Sequence, residues 1–246
     1  SRPGLPLIEI VGEPDLRSLA EARAYLTALK QVLRYLEVSD CSMEEGSLRV
    51  DANVSVRPAG SAELRTRCEV KNVNSFANVE RALAFERDRH IAVYEGGGTI
   101  ERRTMTFDAA KGAVRPTRSK EEVQDYRYFP EPDLPPLVLA DAWLAAERAA
   151  LPELPAAKRA RFEESLGLSA YDARVLSGAR PLAAYFEEVV GAGCEPKDAA
   201  HWVMNDVLAL SPYGEAFPVS AAATAAAIGL VKAGKVRRQN GRKVLA

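Results

Sequence analysis

The sequence predicts an α+β fold: a mixed, largely antiparallel sheet with helices, followed by an all-helical domain. Two observations predict it. Even positions from Leu48 to Val56 are apolar while odd positions 49 to 57 read Arg, Asp, Asn, Ser, Arg, and Leu64 to Val73 repeats the alternation, with Arg65, Arg67, Glu69 and Lys71 on one face. Period two marks half-buried strands. Beyond residue 139 the texture changes to short helical stretches punctuated by Gly and Pro, with no strand pattern between them.

From the start, Leu7 to Val11 is an apolar run interrupted by Glu9 and reads as a short buried strand. Glu9 either turns to solvent at a sheet edge or has a task. Ser18 and Glu21 form a capping box, and Ala22, Tyr25, Leu26, Leu29, Val32, Leu33 and Leu36 follow at helical spacing as core. Asp40 belongs to the loop that follows, while Glu44 and Glu45 either join the charged strands or solvate that loop.

Pro58, Gly60 and Ser61 separate the two alternating runs, so they pair as a hairpin. Odd then meets odd: Asp51 opposite Lys71, Asn53 opposite Glu69, Ser55 opposite Arg67. The resulting face is either a solvated sheet surface or a site. Its carboxylates, cations and primary amides are the inventory needed to hold a metal ion and a phosphate together. Asn72 and Asn74 lead into Ser75, an expected N-cap, so a helix start with open N–H groups would lie beside Lys71.

A helix is predicted over 76 to 95, ended by Gly96, Gly97 and Gly98 as cap and turn. His90, flanked by Arg87, Asp88 and Arg89, is expected at its surface. Thr99 to Phe107 and Ala113 to Arg118 read as a further hairpin. The run DYRYFPEPDLPPL, Asp125 to Leu137, is too proline-rich for helix and reads as a stiff connection. Within it, Arg127 either belongs to an apolar strap or reaches an anionic substrate. Helical stretches are predicted over 140 to 151, 156 to 166, 169 to 177, 181 to 192 and 197 to 210, with Pro181 in a first turn and Trp202, Val203 and Met204 in the core. An alanine-rich stretch, 219 to 233, opens a final segment. The expected divisions are 1 to 139, 140 to 218 and 219 to 246.

Net charge is -1, but 219 to 246 holds six cations and no acid. That segment is either a basic arm touching nucleic acid or the start of a further domain. Cys41, Cys68 and Cys194 have no metal-ligand spacing and read as small core residues of a reduced, cytoplasmic protein. No apolar run reaches the roughly 20 residues of a membrane helix.

Four motifs in order, PLIEIV-x-EPD (6 to 15), MEEGSLR-x-DANVS (43 to 55), E-x-KN-x-NSF (69 to 76) and DYRYFPEPDLPPL (125 to 137), resemble the GatB family, the B subunits of bacterial aspartyl/glutamyl-tRNA amidotransferases. LPELP, GLS-x-YDA and HWVMNDVL resemble the same family's middle domain, and the last residues its tRNA-contacting tail. The resemblance implies a glutamine-synthetase-like catalytic cradle and ATP-dependent repair of mischarged tRNA. The side-chain carboxylate of Glu-tRNA(Gln) or Asp-tRNA(Asn) is phosphorylated, then amidated with ammonia from a partner glutaminase, the A subunit, while a C subunit ties the two together. It further implies Mg²⁺ held in part by Glu9 and Glu69. Lys71, Arg49 and Arg67 then become candidate clamps on phosphate or carboxylate, and Asp51 either a metal-shell acid or the partner positioning Lys71. Asn53, Asn72, Asn74 and Arg127 are candidate substrate contacts. The family also carries a Glu-x-His strand upstream of these motifs, so this chain is expected to hold a half-built site. A non-catalytic tRNA-binding or scaffold module is the alternative.

Overall fold

A computed structural model describes residues 6–117, 133, 135–211 and 216–245. It is α+β, with a small mixed four-stranded sheet and helices. The chain divides into two compact units, 1–28 with 42–129 and 29–41 with 130–246. The first helix, α1 (Leu19–Tyr35), is shared between them in sequence at Ala28 and Leu29. Ser18 Oγ accepts from Glu21 N at 3.1 Å, as its capping box requires.

In the first unit β1 (Val50–Val54) pairs antiparallel with β2 (Cys68–Val73). A helix, α2 (Phe76–Glu95), then crosses over to β3 (Thr104–Asp108), which is parallel to β2 and antiparallel to β4 (Ala113–Pro116). The order is β1-β2-β3-β4. Ser75 caps α2 as expected, its Oγ accepting from Asn78 N at 3.1 Å, a device that contributes about 1 kcal/mol. The strand residues Cys68, Val70, Val73, Met105, Phe107 and Val114 meet Val79, Ala82 and Leu83 of α2 and Ala22 and Leu26 of α1 in one core. Each large apolar side chain fully buried there stabilises the fold by about 1.5–3 kcal/mol. One sheet face is thereby filled, and the polar face is left to solvent.

The hairpin differs from expectation in one structural respect. Asn53 does face Glu69 and Ala52 faces Val70 in the expected register, but Val50 faces Val73, so Lys71 and Asn72 together oppose Asp51 in a β-bulge. Asn72 takes the extra step with φ 62°, a left-handed conformation that asparagine tolerates better than most residues. The bulge turns Val73 back to the core. Ser55 and Arg67 lie outside the paired strands.

Two expectations are overturned. Residues 7 to 11 form no strand: Leu7 is 92% and Val11 82% exposed, and neither sheet edge takes them as a partner. An extended run gains little without a ladder to join, so its backbone stays solvated. His90 is not a surface residue but fully buried, because it continues the helical stripe Val79, Leu83, Glu86 inward.

In the second unit the described regular elements after β4 are helices: α3 (Asp141–Ala150), α4 (Pro155–Glu164), α5 (Ala170–Leu176), α6 (Arg180–Gly191) and α7 (Pro196–Trp202). The last continues through a π turn, Val203–Val207, and a 3₁₀ turn, Leu208–Leu210, before α8 (Ala221–Lys232) and α9 (Arg238–Leu245). Phe162, Leu176, Phe186, Trp202, Val203, Ile228 and Leu245 share its core, with Phe162 edge-on to Phe186 at 5.1 Å. Met204 is half-buried against it. No described helix is long and apolar enough to cross a membrane.

Candidate functional site

The polar sheet face gathers the candidate residues. Two rows run across the strands, Asn53–Glu69–Thr104 and, one pair further, Lys71–Thr106–Arg115. Alternation places these side chains opposite the core, and Asp51 lies across from Lys71 where the bulge begins. Lys71 Nζ lies 3.3 Å from Asp51 Oδ2 and 3.5 Å from Glu69 Oε1, so one ammonium serves two carboxylates. Partial burial would lower the Lys71 pKa, but hydrogen bonding and charge from Asp51, then Glu69, outweigh it and hold the pKa above its ordinary value. Arg49 Nη2 stands 3.6 Å from Asp51 Oδ2 at the rim, 82% exposed. Thr104 Oγ1 donates to Glu69 Oε2 at 3.1 Å.

These ion pairs are solvent-accessible and contribute little to stability, on the order of 0–1 kcal/mol each. Their chemistry is that of an accessible polyion cluster. Hard carboxylate oxygens beside an ammonium can take a divalent cation on one side and an anion on the other.

Other candidates are placed differently. Arg67 is exposed ahead of β2, and among the described residues it makes no ion pair with Asp51 or Glu69. Glu9 is exposed in the irregular segment 6–13, with no bond to Glu69 among the described residues. Asn53 is exposed directly opposite Glu69. Asn72 Nδ2 donates to the Phe107 carbonyl at 3.3 Å, and Asn74 Oδ1 accepts from Asn78 Nδ2 at 2.7 Å, so both amides are engaged inside the unit. Arg127 lies outside the described residues. Thr104, Thr106 and Arg115 were missed from sequence. The alternation of Thr104 and Thr106 with Met105 and Phe107 was the available signal, but parallel pairing to β2 is not local information.

Behind the sheet a second polar group is buried. Arg89 grips both oxygens of Glu86, with Nε at 2.8 Å and Nη2 at 2.7 Å, and the same Nη2 lies 3.4 Å from Cys68 Sγ. His90 Nε2 is 3.4 Å from Glu86 Oε2. Burial pushes the Glu86 carboxyl up, yet His90 and Arg89 pull it down to about 2. Cys68, Glu86 and His90 have ligand atoms within 4.8 Å of one another, but the cation among them is the Arg89 guanidinium. This group braces α2 against β2.

The GatB/GatE catalytic domain family matches residues 1–145. Among curated relatives, the B subunit of aspartyl/glutamyl-tRNA(Asn/Gln) amidotransferase from Moorella thermoacetica is 54% identical over 210 residues, covering 85% of this chain and 44% of the relative. The protein of the same name from Paramagnetospirillum magneticum is 50% identical over 250 residues, all of this chain and 51% of the relative. That from Pseudomonas fluorescens is 53% identical over 207 residues, 84% of this chain and 43% of the relative. The chain thus spans about half the length of the curated relatives it matches.

Proposed function

The chain belongs to the GatB/GatE catalytic domain family, and we propose that it supplies the carboxylate-activating part of the B subunit in a tRNA-dependent amidotransferase. The substrate is Glu-tRNA(Gln) or Asp-tRNA(Asn). A side-chain carboxylate oxygen attacks the γ-phosphorus of ATP and expels ADP. Ammonia then adds to the acyl carbon of the mixed anhydride, and phosphate leaves. The observation that carries this reading is the convergence of Asp51, Lys71 and Glu69 on one open sheet face.

Two anions must meet in the first step, and positioned cations offset their repulsion. Lys71 holds the transferring phosphoryl group or the substrate carboxylate, and Asp51 sets the angle from which its ammonium acts. Arg49, beside Asp51 at the rim, and Arg67, exposed ahead of β2, serve as further clamps. Asn53 lies beside Glu69 and is placed to orient a substrate oxygen, with Asn72, Asn74 and Arg127 as further contacts. The donor set suits Mg²⁺ in that Glu69 and Asp51 offer hard carboxylate oxygens on an open face, their charge shared with Lys71 and Arg49. Glu69 and Glu9 would hold the ion, which when bound neutralises phosphate oxygens.

The larger scheme goes beyond the relatives' name, which supports only a B subunit among others. By the family resemblance, 1–139 would correspond to part of a glutamine-synthetase-like cradle, 140–218 to an all-helical domain and 219–246 to the start of a tRNA-contacting tail, its described helices packing into the same core as those before it. A glutaminase, the A subunit, supplies ammonia, and a C subunit joins the assembly. The three free cysteines, two of them buried, suit the reducing cytoplasm.

Glu9→Gln and Glu69→Gln in the assembled complex test the reading. Both should lower amide formation at least about 100-fold, the scale of losing a group that stabilises the transferring phosphoryl, while leaving tRNA affinity unchanged. If affinity falls in step with activity, the sheet face serves tRNA binding and the module is a scaffold.

A further inference from the structure

We propose that Thr104 is a positioning residue that selects which oxygen of Glu69 is offered to a cation, an inference that rests on the reading of Glu69 as a cation ligand. The parallel pairing of β2 and β3 sets Thr104 directly opposite Glu69, and Thr104 Oγ1 donates to Glu69 Oε2 at 3.1 Å. Oε1 instead faces the Lys71 ammonium, 3.5 Å away. The two oxygens are therefore unequal: a neutral hydroxyl holds one, and the other faces the Lys71 ammonium.

Threonine suits this task physically. Its β-branch restricts χ1, so on a strand the hydroxyl is held in place without further packing. A hydroxyl donating to a carboxylate makes a charge-assisted bond that fixes the carboxylate plane without adding a competing cation. Hydrogen bonds of this kind to a ligating carboxylate orient it for the ion. The neighbouring pair behaves differently. Thr106 faces Lys71 in register, but its hydroxyl is 2.9 Å from that of Thr117, so threonine on this face does not bond its cross-strand partner by default.

The test is Mn²⁺ titration by electron paramagnetic resonance on the protein in its assembled complex, without ATP. Thr104→Val keeps the shape and removes the donor; Thr104→Ser keeps the donor. The valine variant should bind Mn²⁺ about tenfold more weakly and the serine variant within about twofold of the parent, the usual scale for a partner of a ligand. Both should melt at the parent's temperature. Parent-like Mn²⁺ binding by Thr104→Val overturns the inference, as does equal weakening by Thr104→Ser, which would assign the effect to packing. Glu69→Gln separates the two levels. If it abolishes binding while Thr104→Val does not, only the positioning role fails; if it leaves Mn²⁺ affinity intact, Glu69 is no ligand and both fail.

Discussion

Lys71 Nζ lies 3.3 Å from Asp51 Oδ2 across a β-bulge that sets two residues of β2 against one of β1. Asp51 reaches the ammonium from across the ladder and Glu69 from two residues back on the same strand face, so the two carboxylates share it. In the proposed reaction that ammonium meets the transferring phosphoryl group. Lys71→Met should therefore lower amide formation by the assembled complex about 100-fold or more, the scale of losing one preorganised charge donor. Asp51→Asn leaves the cation in place but loosens it and should cost about tenfold, the low end for a supporting contact. Steady-state rates with mischarged tRNA measure both, and equal losses would make Asp51 more than a positioning partner.

The bulge itself depends on Asn72 at φ 62°. Glycine accepts that conformation and a β-branched residue does not. Asn72→Gly should stay within about 1 kcal/mol of the parent in urea unfolding, and Asn72→Val should lose roughly 2 kcal/mol or more, since it adds backbone strain to loss of the bond to Phe107.

Glu86 makes stability acid-sensitive. Its folded carboxyl is lowered to about 2 from an ordinary 4.5. A depressed acid contributes stability that is present above the unfolded value and lost as pH falls through the folded one, here between about 4.5 and 2. The loss should reach about 3 kcal/mol in urea midpoints followed across that window. Glu86→Gln should flatten the window and, by leaving Arg89 without its counter-charge, destabilise the unit at neutral pH by roughly 3 kcal/mol.

Asp206 anchors the final helix. Its side chain is 4% exposed, with Arg238 Nη2 at 3.2 Å and Arg242 Nε at 2.5 Å, and Arg238 also stacks over Trp202 at 5.0 Å. Asp206→Asn should cost on the order of 2 kcal/mol and expose α9 to limited proteolysis before the rest of the unit. A tail cleaved no faster than in the parent would show that its apolar contacts suffice.

Much of this arrangement is written locally. The alternation of 48 to 56 and 64 to 73 locates both strands of the hairpin, and Asn53 does face Glu69. The expected register also holds at Val54 with Cys68 and Ala52 with Val70 and departs only at Val50, and the signal is present: Val70 and Val73 stand three apart with Lys-Asn between them, a spacing that period two cannot satisfy without a bulge. The charged neighbours of His90 in sequence point to the surface, whereas Val79, Leu83 and Glu86 at helical spacing define its face. Leu7 to Val11 resembles a strand because apolar residues suit one, but pairing is a property of partners. The tail cations lack an acid nearby in sequence, yet Asp206 and Asp198 reach Arg238, Arg242 and Lys232 through the fold.

Phosphorylation of the substrate carboxylate on this sheet face leaves a signature in the fate of the carboxylate oxygen. If Glu-tRNA(Gln) or Asp-tRNA(Asn) carrying ¹⁸O in the side-chain carboxylate is supplied with ATP and glutamine, the anhydride oxygen leaves with phosphate. A carboxylate-derived oxygen should appear in the phosphate released for each amide formed, with Lys71→Met and Glu69→Gln lowering label and amide together. Amide formed at the parent rate with unlabelled phosphate would contradict it.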